Sequence, residues 1–286
     1  MDRVELQLRA WAYTCQSALH ELFALYKPFF ALRSGDREAD FVLGQLSANC
    51  MMTSESALLL VQGARVWDAE MLVRSVLEGT YKFAFMCVRD DSERSQRIRE
   101  YYHDLPEINR IRRHERATAL LADVEDPDSP ECRPFRDLLL TDEEIESLRQ
   151  QFPRKARQAL EQKWAFIPLA QALAQSELPG ADAVARMLHG YGMSSHLLHQ
   201  DGNGVAMVWE RQSRSNDRET AIDLSHGARE LSDLLHMAIY RLLAAYHLKG
   251  MDPTPIYSTG AKYKPLTDEL GRAYTEFYDL EYGSVQ

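Results

Sequence analysis

The densest run of chemistry-bearing side chains is His189-Gly-Tyr-Gly-Met-Ser-Ser-His-Leu-Leu-His-Gln-Asp201. On a helix Tyr191, Ser195 and His199 fall at i, i+4 and i+8 and share one stripe, with His189 and His196 aligned beside it. That arrangement predicts a polar pocket holding a titratable imidazole. The plainer alternative is a helix end whose histidines only form hydrogen bonds and meet solvent. Gly190 and Gly192 weaken the helix by about 1 kcal/mol each relative to alanine, which predicts close approach of another helix or a ligand. The three histidines and Asp201 are also metal-ligand types, but their spacing is unlike the helical H-E-x-x-H pattern. No metal and no cofactor is expected.

A second set lies on an apolar segment, where Arg74 and Glu78 stand at i, i+4. Exposed, the pair adds only about 0.3–0.5 kcal/mol. Buried, it needs partners, and a network joining Arg74 and Glu78 to the Tyr191/Ser195/His199 stripe is expected, either as a site or as a purely structural feature. Arg229 and His236 are seven apart and share a helical face; Arg241 and His247 repeat the pairing more loosely. The third set is basic: Asn109–Arg116 carries Arg110, Arg112, Arg113 and Arg116, and Arg154, Lys155 and Arg157 follow. Guanidinium forks suit phosphates, so an RNA or DNA backbone would dock there. The stretch 123–146 beside it is acidic, the usual mark of a solvated, ion-paired face.

The elements that must position these residues are helical. Leu6, Ala10, Tyr13, Ala18, Leu22 and Leu25 recur at i+3/i+4 spacing up to Pro28. Asp36 opens a second helix, and Val66–Val88 is apolar almost all round, which places it in the centre of a bundle. Asp91-Ser92 can cap a fourth, charged helix reaching Val124, with a kink at Pro106. Thr141 and Glu144 form a capping box. Pro153 and Pro168 mark further starts, a helix covers 181–200, Asp201-Gly-Asn-Gly204 breaks it, and Val205–Trp209 is the one strand-like run. Asp217 opens the longest helix, ending at Gly250. A loop is expected over 251–264 and an amphipathic helix over 266–282. The fold predicted is all-α: an antiparallel helical bundle of eight to ten helices with long central ones. Residues 1–124 form the long-helix bundle, 125–140 an acidic Pro-containing linker, and 141–286 a C-terminal helical part packed on the first.

The chain has 286 residues, enough for a substantial core without disulfides or structural metal. With 33 Lys and Arg against 43 Asp and Glu, the net charge of -10 argues against a general nucleic-acid coat, leaving only a local patch. Cys15, Cys50, Cys87 and Cys132 are scattered, so reduced thiols and a cytoplasmic location are expected. The charged N-terminus is no signal peptide. No apolar stretch approaches membrane-spanning length, so no membrane association is expected. Nucleophile-elbow, Walker, dinucleotide and kinase motifs are missing.

An Arg-x-x-x-Glu on an apolar helix (Arg74, Glu78), followed about 110 residues later by Tyr-x-x-x-Ser-x-x-x-His (Tyr191 to His199), resembles the bacterial DUF5677 proteins over about residues 40–245. Such proteins are similar to the HEPN superfamily of helical ribonucleases and RNA-binding domains in toxin–antitoxin and antiviral defence systems. The resemblance implies a protein that binds or cleaves RNA, as a metal-independent ribonuclease acting through His199 or His236 with Arg229, Arg74 and Glu78. Tyr191, Ser195 and His196 would line the pocket, and Arg110, Arg112, Arg113 and Arg116 would hold RNA. Where the HEPN signature places an arginine before its histidine, this chain has Gly192. HEPN sites form where two copies meet, which implies a homo-oligomer, a dimer in the simplest case. The alternative is a non-catalytic binding or assembly module for a protein partner or small ligand.

Overall fold

The computed structural model describes residues 3–32, 36–88 and 91–283, less the side chains of residues 91–92, 182–186, 188–190, 193 and 212. The expected capping pair Asp91-Ser92, and the side chains of His189 and Gly190, lie outside the described residues. What is described is all-helical, without a strand. The chain divides into two compact units: residues 1–89 with 169–286, and residues 90–168.

The first unit begins with α1 (Arg3–Ala24), α2 (Tyr26–Ala31), α3 (Arg37–Gln62) and α4 (Val66–Cys87). Asp36 caps α3 as expected, its carboxylate accepting from the Ala39 N–H at 2.9 Å. The first helix stops at Ala24 rather than at Pro28. Pro28 sits in the first turn of α2, where its missing N–H removes no helical bond.

Residues 90–168 carry α5 (Asp91–Arg99), a π-helical turn (Glu100–Asp104), α6 (Leu105–Ala122), a 3₁₀ turn (Pro130–Cys132), α7 (Arg133–Arg136), α8 (Asp142–Gln151) and α9 (Arg154–Lys163). The kink expected at Pro106 is the π turn just before it, whose buried Glu100 accepts from Trp164 Nε1 at 3.0 Å and Lys163 Nζ at 2.7 Å. Thr141 and Glu144 make the predicted capping box. A small core of Ile108, Ile111, Ile145, Leu148 and Phe152 closes this unit.

Next comes α10 (Phe166–Ala174), within which the unit boundary falls, and the first unit continues with α11 (Ala181–His199), α12 (Gly202–Gln212), α13 (Asn216–Lys249), α14 (Thr254–Lys262) and α15 (Lys264–Tyr282). The expected strand over 205–209 is part of α12. Valine and tryptophan favour strands, but Asp201 overrides them by accepting from the Asn203 and Gly204 N–H groups and so starting a helix. The loop expected over 251–264 is mostly α14, nucleated by Asp252, which accepts from Thr254 N at 3.0 Å. Such short helices make the segments more numerous than the eight to ten expected.

In this unit α1, α3, α4 and α13 pack on one another, α13 also carries α15, and α11 lies on α4 and α12. Two glycines set the closeness of the central helices. A Cβ on Gly79 of α4 would stand 2.6 Å from Cys50 Sγ on α3, and one on Gly227 of α13 would meet Leu8 and Val66 on α1 and α4. Gly227 thereby brings its neighbour His226 down onto α4.

Candidate functional site

On α4, Glu70, Arg74 and Glu78 recur every fourth residue, so they form one polar row on an otherwise apolar helix. On α13 two further i, i+4 pairs, His226/Glu230 and Arg229/Asp233, face the N-terminal end of that row. Helix α11 brings Tyr191 and Ser194 against it from a third side. The polar groups fall into two clusters.

Of the network expected between Arg74, Glu78 and the Tyr191/Ser195/His199 stripe, the outer cluster brings together Arg74, Glu78 and Tyr191. Arg74 Nε donates to Glu78 Oε1 at 3.3 Å, its Nη2 donates to Tyr191 Oη at 2.8 Å, and the guanidinium lies 4.2 Å from the Tyr191 ring centroid. Burial, with the nearby Glu78 carboxylate, raises the Tyr191 hydroxyl above its ordinary pKa. Glu78 keeps 35 % of its side-chain surface exposed, so the pair is only partly desolvated. His199 does not join it. It lies exposed on the last residue of α11, eight positions from Tyr191 and therefore two turns beyond the network. Ser195 is half-buried. Gly192 is exposed, and a Cβ there would have nothing within 4 Å, so among the described residues no helix approaches at that point, which removes one of the two expected reasons for the glycine.

Of the inner cluster only Arg229 figures among the sequence expectations, there paired with His236. Glu70, His226 and Glu230 are all buried. His226 Nε2 lies 3.0 Å from Glu70 Oε2 and 3.1 Å from Glu230 Oε1. Glu70 also accepts from Ser194 Oγ and from Arg229, and Arg229 Nη1 lies 3.5 Å from Asp233. The environments of the two glutamates push them apart. Burial disfavours the Glu70 charge, but His226, Arg229 and Ser194 outweigh it and hold its pKa at about 2. At Glu230 burial wins over His226 and lifts the carboxyl to about 7. Burial opposes the His226 cation, yet Glu230 and Glu70 raise its pKa on balance. A cavity of about 20 Å³, lined in part by Glu70, Arg74, Tyr191, Ser194, Arg229 and Asp233, lies alongside.

Arg229 therefore serves the acids of the inner cluster and not His236. The His236 ring is exposed, with Nδ1 2.8 Å from its own helix's Ser232 carbonyl oxygen. His196 is exposed too, paired through Nδ1 with Asp201 at 2.7 Å. The signal for the inner cluster is a His-x-x-x-Glu on the longest helix, a spacing that puts two ligating groups on one face; attention to Arg–His spacing passes over it.

An open groove of about 280 Å³ runs beside Trp67, Asp68 and Met71 of α4, Leu197 and Gln200 at the end of α11, and Val205, Val208 and Trp209 of α12. The Asp201 cap and the left-handed Gln200 (φ 48°) turn the chain from α11 into α12. Gly204 lets the helices cross, since a Cβ there would stand 2.6 Å from the His196 carbonyl carbon. Trp67 belongs to both places: its ring lies tilted against His226 at a centroid distance of 4.3 Å while it lines the groove.

The predicted basic patch lies in the other unit. Arg110 pairs with Glu107 at 2.8 Å, Arg112 with Glu161, and Arg149 with Glu115 at 3.1 Å. Arg113 and Arg116 are exposed. A polar cleft of about 350 Å³ lies between α6 and α9, lined by Arg112, Glu115, Arg154, Arg157, Gln158 and Glu161.

These features define an all-helical protein with a sealed ionic centre. No described helix is long and apolar enough to cross a membrane. The chain matches DUF5677, a family of unknown function, over residues 40–217, and it belongs to that family. The match takes in Glu70, Arg74, Glu78 and Tyr191 and ends before His226. Comparison with curated proteins gave no match, and neither did comparison with solved structures.

Proposed function

We propose that this chain is a non-catalytic helical binding module whose groove between α4, α11 and α12 takes a small, largely apolar ligand. The observation that carries this reading is the groove itself. Its walls are mainly Trp, Met, Leu and Val, with Asp68 and Gln200 as the polar groups able to orient a guest. Apolar walls with few polar anchors are the usual composition of small-molecule sites. Trp209, 70 % exposed, forms a rim that a ligand would cover. The placement of Arg229 supports binding over cleavage: it is committed to Glu70 and Asp233 and not to His236. The test is fluorescence titration with the apolar dye 1-anilinonaphthalene-8-sulfonate. Enhanced emission that disappears in Val208→Arg but persists in His199→Ala and His236→Ala is the expected result. Emission unchanged by Val208→Arg would remove the groove from consideration.

The cleft between α6 and α9 favours a second reading, the HEPN-like one, in which RNA docks on exposed arginines of α6 and α9. Its support is the exposed set Arg113, Arg116 and Arg154, of which Arg154 lines the cleft. On that reading total RNA is retarded in a gel by the wild-type chain, with affinity falling steeply as salt rises, and the Arg113→Ala/Arg116→Ala/Arg154→Ala variant loses the shift.

A further inference from the structure

We propose that Glu70, His226 and Glu230 bind one divalent first-row transition-metal cation between α4 and α13. Donors and acceptors are out of balance around these residues. Glu70 accepts hydrogen bonds from Ser194 and Arg229, and its Oε2 lies 3.0 Å from His226 Nε2. Glu230 is 0 % exposed, and neither of its oxygens has a hydrogen-bond partner, although Oε1 points at His226 Nε2 from 3.1 Å. One Nε2 proton cannot serve both carboxylates. A buried carboxylate without a partner must hold a proton or an ion, and two carboxylates facing one imidazole leave a place for the ion.

The geometry fits an ion in place of that proton. Donor atoms about 2.0–2.1 Å from a tetrahedral ion lie roughly 3.3 Å from one another. The two distances from Nε2, 3.0 and 3.1 Å, are close to that, and all three donor atoms lie within 4.8 Å of one another. Two carboxylates and a neutral imidazole supply the charge that balances a divalent cation. Arg229 is no obstacle, because Asp233 offers it a second carboxylate when Glu70 turns to the ion. Ser194 on the other Glu70 oxygen anchors that carboxylate from behind, the kind of contact that fixes a ligand's orientation. The neighbouring cavity of about 20 Å³, which Glu70 lines, has room for one water. A set of one nitrogen and two oxygens without thiolate suits Zn²⁺, Mn²⁺ or Fe²⁺.

The test uses the untagged full chain, stripped with EDTA and dialysed separately against Zn²⁺, Mn²⁺ and Co²⁺, with bound metal measured by plasma mass spectrometry and melting followed with and without metal. One equivalent of at least one metal and a raised Tm are expected, with visible bands if Co²⁺ binds. Glu230→Gln, which keeps the shape and removes a buried charge, should lose more than the roughly 10–100-fold in affinity that changing a residue behind the ligands costs. His196→Ala removes the exposed pairing with Asp201 and should retain the metal. Wild-type protein holding none of the three metals overturns the proposal, as does binding that survives Glu230→Gln or vanishes in His196→Ala.

Discussion

Arg229 on α13 and Arg112 on α6 make the same bond, guanidinium to glutamate, in two regions that differ in their access to water. Arg112 keeps half of its side-chain surface exposed and pairs with a single Glu161. Arg229 is 25 % exposed and faces a Glu70 that is 1 % exposed, with Asp233 and His226 beside it. In the first region water and salt can replace the partner, so the pair contributes little. In the second nothing replaces it, and losing the cation strands acids in a low-dielectric interior. A row of arginines in sequence is thus a weaker guide to a site than one arginine opposite a helix whose other faces are apolar.

The largest expected effect separates the two arginines directly. Arg229→Ala should lower stability by about 3–5 kcal/mol, as breaking one partner of a buried pair does. Arg112→Ala should change it by less than about 1 kcal/mol. Urea unfolding of both variants measures the difference, and equal losses would erase the contrast.

The second effect concerns pH within the sealed region. Glu230 has a folded pKa of about 7, above its ordinary value of 4.5, so the folded state binds its proton more tightly than the unfolded chain does. Its contribution is complete below pH 4.5 and is lost as pH rises through about 7. At about 1.4 kcal/mol per pKa unit this amounts to roughly 3 kcal/mol. Glu70, held at about 2, acts oppositely: its contribution is present above pH 4.5 and is lost as pH falls toward 2. In EDTA, the melting temperature should therefore decline from about pH 5 to pH 8 in the wild type and much less in Glu230→Gln. Parallel profiles would mean that Glu230 is not the group responsible.

The same contrast explains what can be read from the sequence. Helical period, the Asp36 cap and the Thr141/Glu144 capping box are local, and they are found where expected. Of the network expected around Arg74 and Glu78, Tyr191 joins and His199 does not: a charged pair on an apolar helix must find a polar partner, but spacing alone does not say which. His226 and Glu230 are as legible in spacing, but their importance comes from the turn of α13 that Gly227 presses onto α4, a tertiary fact. Val205–Trp209 misleads because strand propensity competes there with the Asp201 cap and loses. His199 misleads because a shared stripe says nothing of how far along α11 the neighbouring helix extends.

The smallest effect tests the contrast on the residue with no side chain. Gly79 and Gly192 both lie inside helices, and both invite a packing explanation. Only Gly79 has one, since a Cβ there would lie 2.6 Å from Cys50 Sγ, and Cys50 is itself buried between α3 and α4. Gly79→Ala should force those helices apart and destabilise by about 1–3 kcal/mol, the range for overpacked cores. Gly192 stands exposed on α11 with nothing within 4 Å of where a Cβ would go and without a positive φ. Gly192→Ala therefore gains helix propensity at no steric cost and should stabilise by up to about 1 kcal/mol. Opposite signs in thermal melts would support the buried–exposed contrast on α4 and α11. A destabilising Gly192→Ala would mean that something outside this chain approaches α11 at that point, which would return the glycine to the role that the sequence alone implies.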